Sequence, residues 1–438
     1  MSQILFYLYL AAAVVIGCLS ARRIRTPDDY YVAGRGTGTI YLAGSLLATI
    51  LGSSAILGSI DWGYEKGWGG AWLLLCGAIG LFALLPLVKA VARFRGYNLS
   101  MLLGTFYGDL VKKLSGAVIA AAWLGVIGAQ IIGAAKITSG TLGIPYVQAA
   151  CLVGGVLTFY TVAGGQFSII RTDVLQTLLI FLGLTPVAVV LFLRSPSLEA
   201  APMFSSAFGV FDLIAMLFSY SSTFLVGPDI YSRLFCAKDP VTAKRAVIVT
   251  ALLLIPFAFL LAFIGIYGAR FYAEESGAVL FTIARLEFPP WATLILYFAM
   301  LSAIMSSADT TLFTAGGLLS QFFHSRMDSP ESVRITKCCI AALGVLAVVI
   351  AVCFHSILTV LLFALGVYAG AFVVPVLWGL CGLKSGHRSA MAAILSGGIL
   401  ALAGKILGGV PGNVLFILAF FVNLGFLALG RTSNSKNL

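Results

Sequence analysis

LILYFAMLSAIMSSADTTLFTAGGLLSQFFH, residues 294–324, is an apolar run of membrane-crossing length with a dense patch of oxygen atoms at its centre. Ser302, Ser306, Ser307, Asp309, Thr310 and Thr311 all fall within it. Hydrocarbon offers such groups no water, so an ionisable residue at that depth marks a functional site. Hydroxyls beside one carboxylate, with neither His nor Cys next to them, suit a hard cation such as Na⁺ rather than zinc or copper.

The rest of the chain fits a membrane setting. It is 60% hydrophobic and 10% charged, with a mean hydropathy of +1.05, which points to many transmembrane helices and a lipid bilayer as solvent. The net charge of +11 sits in short loops between apolar runs. It therefore reads as a topology signal, and nucleic acid is not expected as a partner. The eight cysteines form no CxxC pair, so neither a metal centre nor a disulfide framework is expected. The first apolar run, Ile4–Ser20, lacks a basic segment before it and is followed by Arg22, Arg23 and Arg25, as in a retained helix.

Hydropathy predicts thirteen spans, at about 3–21, 38–60, 67–95, 114–142, 145–164, 167–193, 208–232, 243–270, 290–321, 333–354, 356–381, 387–408 and 411–430. With the N-terminus outside, 21 of the 27 Lys and Arg residues lie on the cytoplasmic side, which places the C-terminus inside. The expected location is the bacterial inner membrane.

Two spans are interrupted. LLATILGSSAILGSIDWG carries Gly52, Ser53, Ser54, Gly58 and Ser59 in mid-membrane; five spans later, AMLFSYSSTFLVGPDIYSR carries Ser219, Ser221, Ser222, Gly227 and Pro228. Interrupted helices at matching places in two five-span halves are the sequence mark of a transporter binding site, and the odd offset inverts the second half. The chain divides accordingly into a leading helix and loop (1–37), a first repeat (38–193), a second inverted repeat (194–381) and two trailing helices with a short tail (382–438).

Several stretches then resemble the sodium:solute symporter family, which includes the sodium-coupled sugar, proline, pantothenate and sialic-acid carriers. They are YYVAGRGTG (30–38), ATILGSSAILG (48–58), YTVAGGQFSIIRTDVLQ (160–176), and DIYSRLFCAKD (229–239) leading to AIMSSADTT (303–311). The resemblance covers essentially the whole chain. It implies an all-α LeuT-type fold, a 5+5 inverted repeat with broken first and sixth core helices. It also implies a shared Na⁺ site made by the carbonyls of Ala48, Leu51 and Ala303 and the hydroxyls of Ser306 and Ser307. For some members it implies a second cation site, here Asp173, Ser306, Asp309 and Thr310. Asp309 departs from the family pattern, where a hydroxyl residue is expected. A second carboxylate would either tighten a cation site or carry a proton.

Other residues divide between site and scaffold. Asp173 is a candidate ion ligand, with nearby Arg171 as its alternative partner. Lys136 lies about 33 Å along its span and is expected to snorkel to the outer interface. Gln130, two turns lower, is better placed for the central site. Asp229 and Arg233 are expected to set gating rather than bind solute. His324, His355 and His387 fall at span ends. At the positions aligned with the polar groups of sugar carriers stand Ala55, Leu74, Leu254 and Tyr220. So few hydrogen-bonding groups disfavour a sugar. A small amino acid or carboxylate fits better, held around Gly52, Ser53, Ser54, Gln130 and Tyr220, with exposed N–H groups of the broken helix meeting its carboxylate.

The expected activity is Na⁺-coupled uptake of a small organic solute by alternating access. The alternatives are a proton-coupled carrier using Asp173 and Asp309, and a transport-like sensor; the latter is disfavoured because only about eight residues follow the last span. No HExxH, GxSxG or paired His suggests an enzyme.

Overall fold

The computed structural model describes residues 2–195, 203–204, 208–273, 279–324, 326–354 and 357–431, with the side chains of 2 and 357–362 excepted. Among these residues every named element is helical, and β features are confined to isolated bridges such as Thr37 with Ala237 and Ser385 with Arg431. Among the described residues, eleven helices are long and apolar enough to cross a membrane.

Two places account for the difference from the thirteen expected spans. Tyr146–Arg194 runs as one helical stretch of 49 residues, or about 74 Å at 1.5 Å per residue, more than twice the hydrocarbon thickness. It is broken at Gly165, where φ is 54° and ψ −160°. Only glycine fits there: a Cβ would also lie 2.6 Å from the Tyr30 ring. The second place is the apolar stretch Ser53–Leu84. It joins the far half of the first broken helix, Ser53–Lys66, through the 3₁₀ turn Gly67–Ala71 to Trp72–Leu84.

The first broken helix begins with Thr39–Ile50. At Leu51 (φ −81°, ψ 48°) and Gly52 (φ −70°, ψ 170°) the chain leaves helical geometry, and it resumes at Ser53. The second comprises Val210–Met216, a π-helical turn Leu217–Ser221 and Ser222–Val226, then an extended Gly227 and the short helix Pro228–Leu234. Pro228 stops the first half and starts the second, because it lacks an N–H and its φ suits a first helical turn. The expected all-α fold with two broken core helices is what the chain adopts.

The oxygen-rich helix, Pro290–Phe323, packs between Asp109–Leu142 and Tyr146–Arg194. Its residues from Ala299 to Leu318 are all buried, which explains how its hydroxyls are tolerated at membrane depth. The leading helix Ser2–Ala21 and the trailing helices His387–Leu407 and Gly409–Leu429 instead expose Ile4, Leu8, Ile399, Ile406 and Phe421, side chains suited to lipid. Standard caps start other elements: Asp239 accepts from Thr242 N at 2.8 Å before Pro240–Phe271, and Ser329 accepts from Ser332 N at 3.2 Å before Pro330–Cys353.

One end of the bundle is tied by YYVAGRGTG. A capping box between Thr26 and Asp29 starts Pro27–Val32, whose Tyr30 and Tyr31 are buried. Ala33, Gly34 and Arg35 then take left-handed φ values of 50°, 64° and 51°. That turn aims Arg35 at four backbone carbonyls: Arg95 at 2.9 Å, Gly96 at 3.0 Å, and Phe94 and Phe235 at 3.3 Å. Thr37 next exchanges backbone bonds with the strip after the second broken helix, to Cys236 O at 3.0 Å and from Lys238 N at 3.2 Å.

Candidate ion and solute site

Helix ends leave backbone carbonyls without intrahelical partners. At the Leu51–Gly52 break those of Ala48 and Thr49 meet the oxygen-rich helix. Ser306 Oγ donates to Ala48 O at 2.9 Å and to Ala303 O at 3.1 Å. Ser307 Oγ donates to Thr49 O at 2.9 Å and to Ala48 O at 3.4 Å. The close approach depends on Gly52, where a Cβ would stand 2.5 Å from Ser307 Oγ and 3.2 Å from Gln130 Nε2. Four of the five expected oxygens, from Ala48, Ala303, Ser306 and Ser307, therefore converge. Leu51 is buried one residue past the helix, with its N–H bonded to Leu47 O at 2.8 Å. Thr49 O joins the group unforeseen. Rotation of the two hydroxyls would turn their oxygens, with the carbonyls, toward one cation. Such a neutral set suits a monovalent ion.

A second polar cluster lies beside the first. Asp173 is fully buried, and its partner is Arg233 rather than Arg171. Arg233 Nη2 reaches Asp173 Oδ2 at 3.1 Å, contacts Thr310 Oγ1, and lies 3.4 Å from Thr49 Oγ1. Ser45 also donates to Asp173. Arg171 is exposed and lies over the Phe167 ring at 4.4 Å. The guanidinium thus fills the space between Asp173 and Thr310 that the resemblance gave to a second cation. Asp309 lies to the side: it accepts from Tyr160 OH at 3.0 Å and from Thr310 Oγ1 at 3.3 Å. Thr310 also donates to Ser306 O at 2.8 Å, which links the two clusters.

Through Thr49 and Ser307 the first cluster borders a central cavity of about 80 Å³, with room for a few water-sized groups. Gly52, Ser54, Gln130 and Tyr220 line it, as does Ala55. Ser53 stands behind, donating to Gln130 Oε1 at 2.8 Å and so orienting that carboxamide. Leu74 and Leu254 are buried and do not line it. Lys136 and His387 are exposed, His324 is half-buried, and His355 lies outside the described residues.

Trp123 and Asp229 complete the wall. Trp123 Nε1 donates to both carboxylate oxygens of Asp229, at 2.9 and 2.8 Å. The sequence reading puts Asp229 and Arg233 at a cytoplasmic helix end. Both instead enter the interior, because Pro228 restarts a helix inside the bundle and sets them one turn apart on it. An Asp–Arg pair at i, i+4 directly after a Gly-Pro break was the signal available for an inserted half-helix.

The profile of the sodium:solute symporter family matches residues 30–397. The sodium/pantothenate symporter of Escherichia coli K12 is 24% identical, over 95% of both chains. The sodium/proline symporter of Haemophilus influenzae is 26% identical, over 92% of this chain and 88% of its own. Among solved structures, a substrate-bound outward-open Na⁺-coupled sialic acid symporter superposes with a TM-score of 0.82 at 18% identity, covering 99% of each chain. A nucleobase-cation-symport-1 family transporter in a closed conformation gives 0.62 at 16% identity, over 91% and 93%. These likenesses establish the shared fold, and the profile covers most of the sequence, so the chain belongs to the sodium:solute symporter family.

Proposed function

We propose that the protein couples one Na⁺, held by the oxygens of Ala48, Leu51, Ala303, Ser306 and Ser307, to the uptake of one small organic solute bound in the adjoining cavity. Family membership makes the chain a Na⁺-coupled multi-pass membrane transporter, not an enzyme. The observation that carries the site assignment is the seating of the Ser306 and Ser307 hydroxyls on the open carbonyls of the broken helix. Carbonyls freed by a helix break beside a solute cavity are the recurring way such carriers hold an ion and a solute together.

A small amino acid or carboxylate is the solute class that the cavity's size favours, and relatives named for proline and pantothenate support that range. Segments 38–193 and 194–381 are the two inverted five-helix repeats that enclose the site, which works by alternating access. The count of basic residues supports an N-terminus outside and a C-terminus in the cytoplasm of a bacterial inner membrane. A stoichiometry of one Na⁺ is supported by Arg233, whose charge already occupies the Asp173 carboxylate.

Proton coupling keeps one supporting observation, the Asp309 carboxylate, whose hydrogen-bond partners Tyr160 and Thr310 are both hydroxyls. Uptake into proteoliposomes under a Na⁺ gradient or a pH gradient alone separates the two. Solutes for that assay come from a thermal-shift screen of amino acids and small carboxylates with and without Na⁺. Uptake driven by Na⁺ alone and absent under a proton gradient supports the Na⁺ reading. The reverse overturns it.

A further inference from the structure

We infer that the central cavity selects solutes that carry a protonated amine, and that Asp229 receives it. This rests on the cavity being the solute site.

Charge is the first argument. Asp229 is the charged side chain on the cavity wall, and no Lys, Arg or His is among the described residues that line it. Arg233 sits one turn further along the same short helix, but its guanidinium is committed to Asp173 at 3.1 Å and to Thr310. It therefore leaves Asp229 without a contact partner of opposite charge. A carboxylate withdrawn from bulk water is strongly disfavoured until a cation joins it. A solute that brings its own ammonium group supplies that cation, whereas one bearing only a carboxylate adds a second negative charge.

Hydrogen-bonding capacity is the second. The Trp123 indole N–H spans both oxygens of Asp229. A carboxylate offers about four acceptor positions, so this one shared donor leaves room for the N–H groups of an ammonium. Asp229 is only partly buried in the protein, and it is among the residues that border the open space.

Shape is the third. Trp123, Tyr220 and Phe224 give the cavity aromatic walls. Trp123 is held edge-on to Tyr368 at 4.7 Å, and Tyr220 edge-on to Phe224 at 5.0 Å. Aromatic faces beside a carboxylate form the usual recognition surface for an alkylammonium group, through cation–π attraction. Gln130 and Ser54, which also line the cavity, remain for a polar or carboxylate end.

The test uses the purified full-length protein in saturating Na⁺ and matched pairs of probes that differ in the amine: alanine and propionate, proline and cyclopentanecarboxylate, 4-aminobutyrate and butyrate, choline and 3,3-dimethylbutanol. Binding is read by thermal shift and isothermal titration. At least one ammonium-bearing probe should stabilise the protein, and its amine-free partner should bind at least tenfold more weakly. Asp229→Asn should lose that discrimination, while Asp229→Glu, which keeps the charge, should retain it. Stabilisation by Na⁺ alone reports that each variant is folded and that the ion site is intact, so a failed Na⁺ response indicts the ion-site reading rather than this one. Amine-free probes binding as well as their partners, discrimination surviving in Asp229→Asn, or no response to any ammonium-bearing probe overturns the inference.

Discussion

Replacing Arg233 with glutamine tests the most consequential charge in the protein. Arg233 and Asp173 are both fully buried, 3.1 Å apart. Removing one partner of a buried ion pair leaves an uncompensated charge and costs about 3–5 kcal/mol. The carboxylate left behind would face Ser45, Thr49 and Thr310, a set of oxygen ligands suited to a hard cation. Na⁺ should therefore return part of the lost stability. At a concentration 100 times its dissociation constant, a ligand contributes about 2.7 kcal/mol. Arg233→Gln is expected to be markedly less stable than the wild type without Na⁺ and to gain more from it, while equilibrium ²²Na⁺ binding rises from one to two ions per chain. The paired replacement Arg233→Leu/Asp173→Leu removes both charges, so it should restore stability to within about 1–2 kcal/mol of wild type with one ion bound. Two ions bound by the wild type, or one by Arg233→Gln with an unchanged Na⁺ response, would refute the view that the guanidinium stands where a cation would otherwise bind.

Ser306→Ala and Ser307→Ala should each raise the half-saturating Na⁺ concentration by roughly tenfold or more, because a contact to a charged group is worth about 1.5 kcal/mol or more; unchanged ²²Na⁺ affinity in both would remove the site assignment. Gly52→Ala drives a methyl to 2.5 Å from Ser307 Oγ. It should cost about 1–3 kcal/mol by overpacking and abolish tight Na⁺ binding; adding Ser307→Gly should recover the melting temperature but not the Na⁺ affinity. In a cysteine-free background, an impermeant maleimide added outside intact cells should label Pro196→Cys and not Lys238→Cys, and the opposite pattern would reverse the orientation.

What the sequence disclosed follows a physical divide. The oxygen-rich helix was legible because its signal is local: six polar residues crowd one apolar run. The two breaks were legible for the same reason, since Gly, Ser and Pro change backbone preference where they stand. The join near residue 165 was legible from length alone. The partners of the buried charges were not. Asp173 meets Arg233 across 60 residues, and Asp229 meets Trp123 across 106, so nothing in local pattern or hydropathy links them. Arg171 looked like the partner of Asp173 only because it is near in sequence. On a helix, residues two apart point to different sides, and Arg171 turns outward to Phe167. Asp309 was expected near Asp173, and Thr310 and Arg233 do bridge the two, but the Tyr160 hydroxyl that holds Asp309 lies 149 residues away and left no local trace.

The tie at Arg35 has a consequence for which mutations the protein can absorb. Each hydrogen bond that Arg35 makes there ends on a backbone carbonyl, three in the 94–96 loop and one at Phe235. A carbonyl persists whatever side chain sits above it, so the amino acids at 94, 95, 96 and 235 can change without removing an acceptor. The donor has no such latitude. A lysine carries one compact ammonium and cannot span four acceptors as the planar fork of a guanidinium does. The left-handed φ at residues 33–35 that aims the fork adds a demand of its own. As far as these hydrogen bonds go, the demand on side-chain identity is therefore concentrated in a three-residue turn, and the loops it fastens are constrained by packing alone, through buried Phe235 and its ring contact with Phe94.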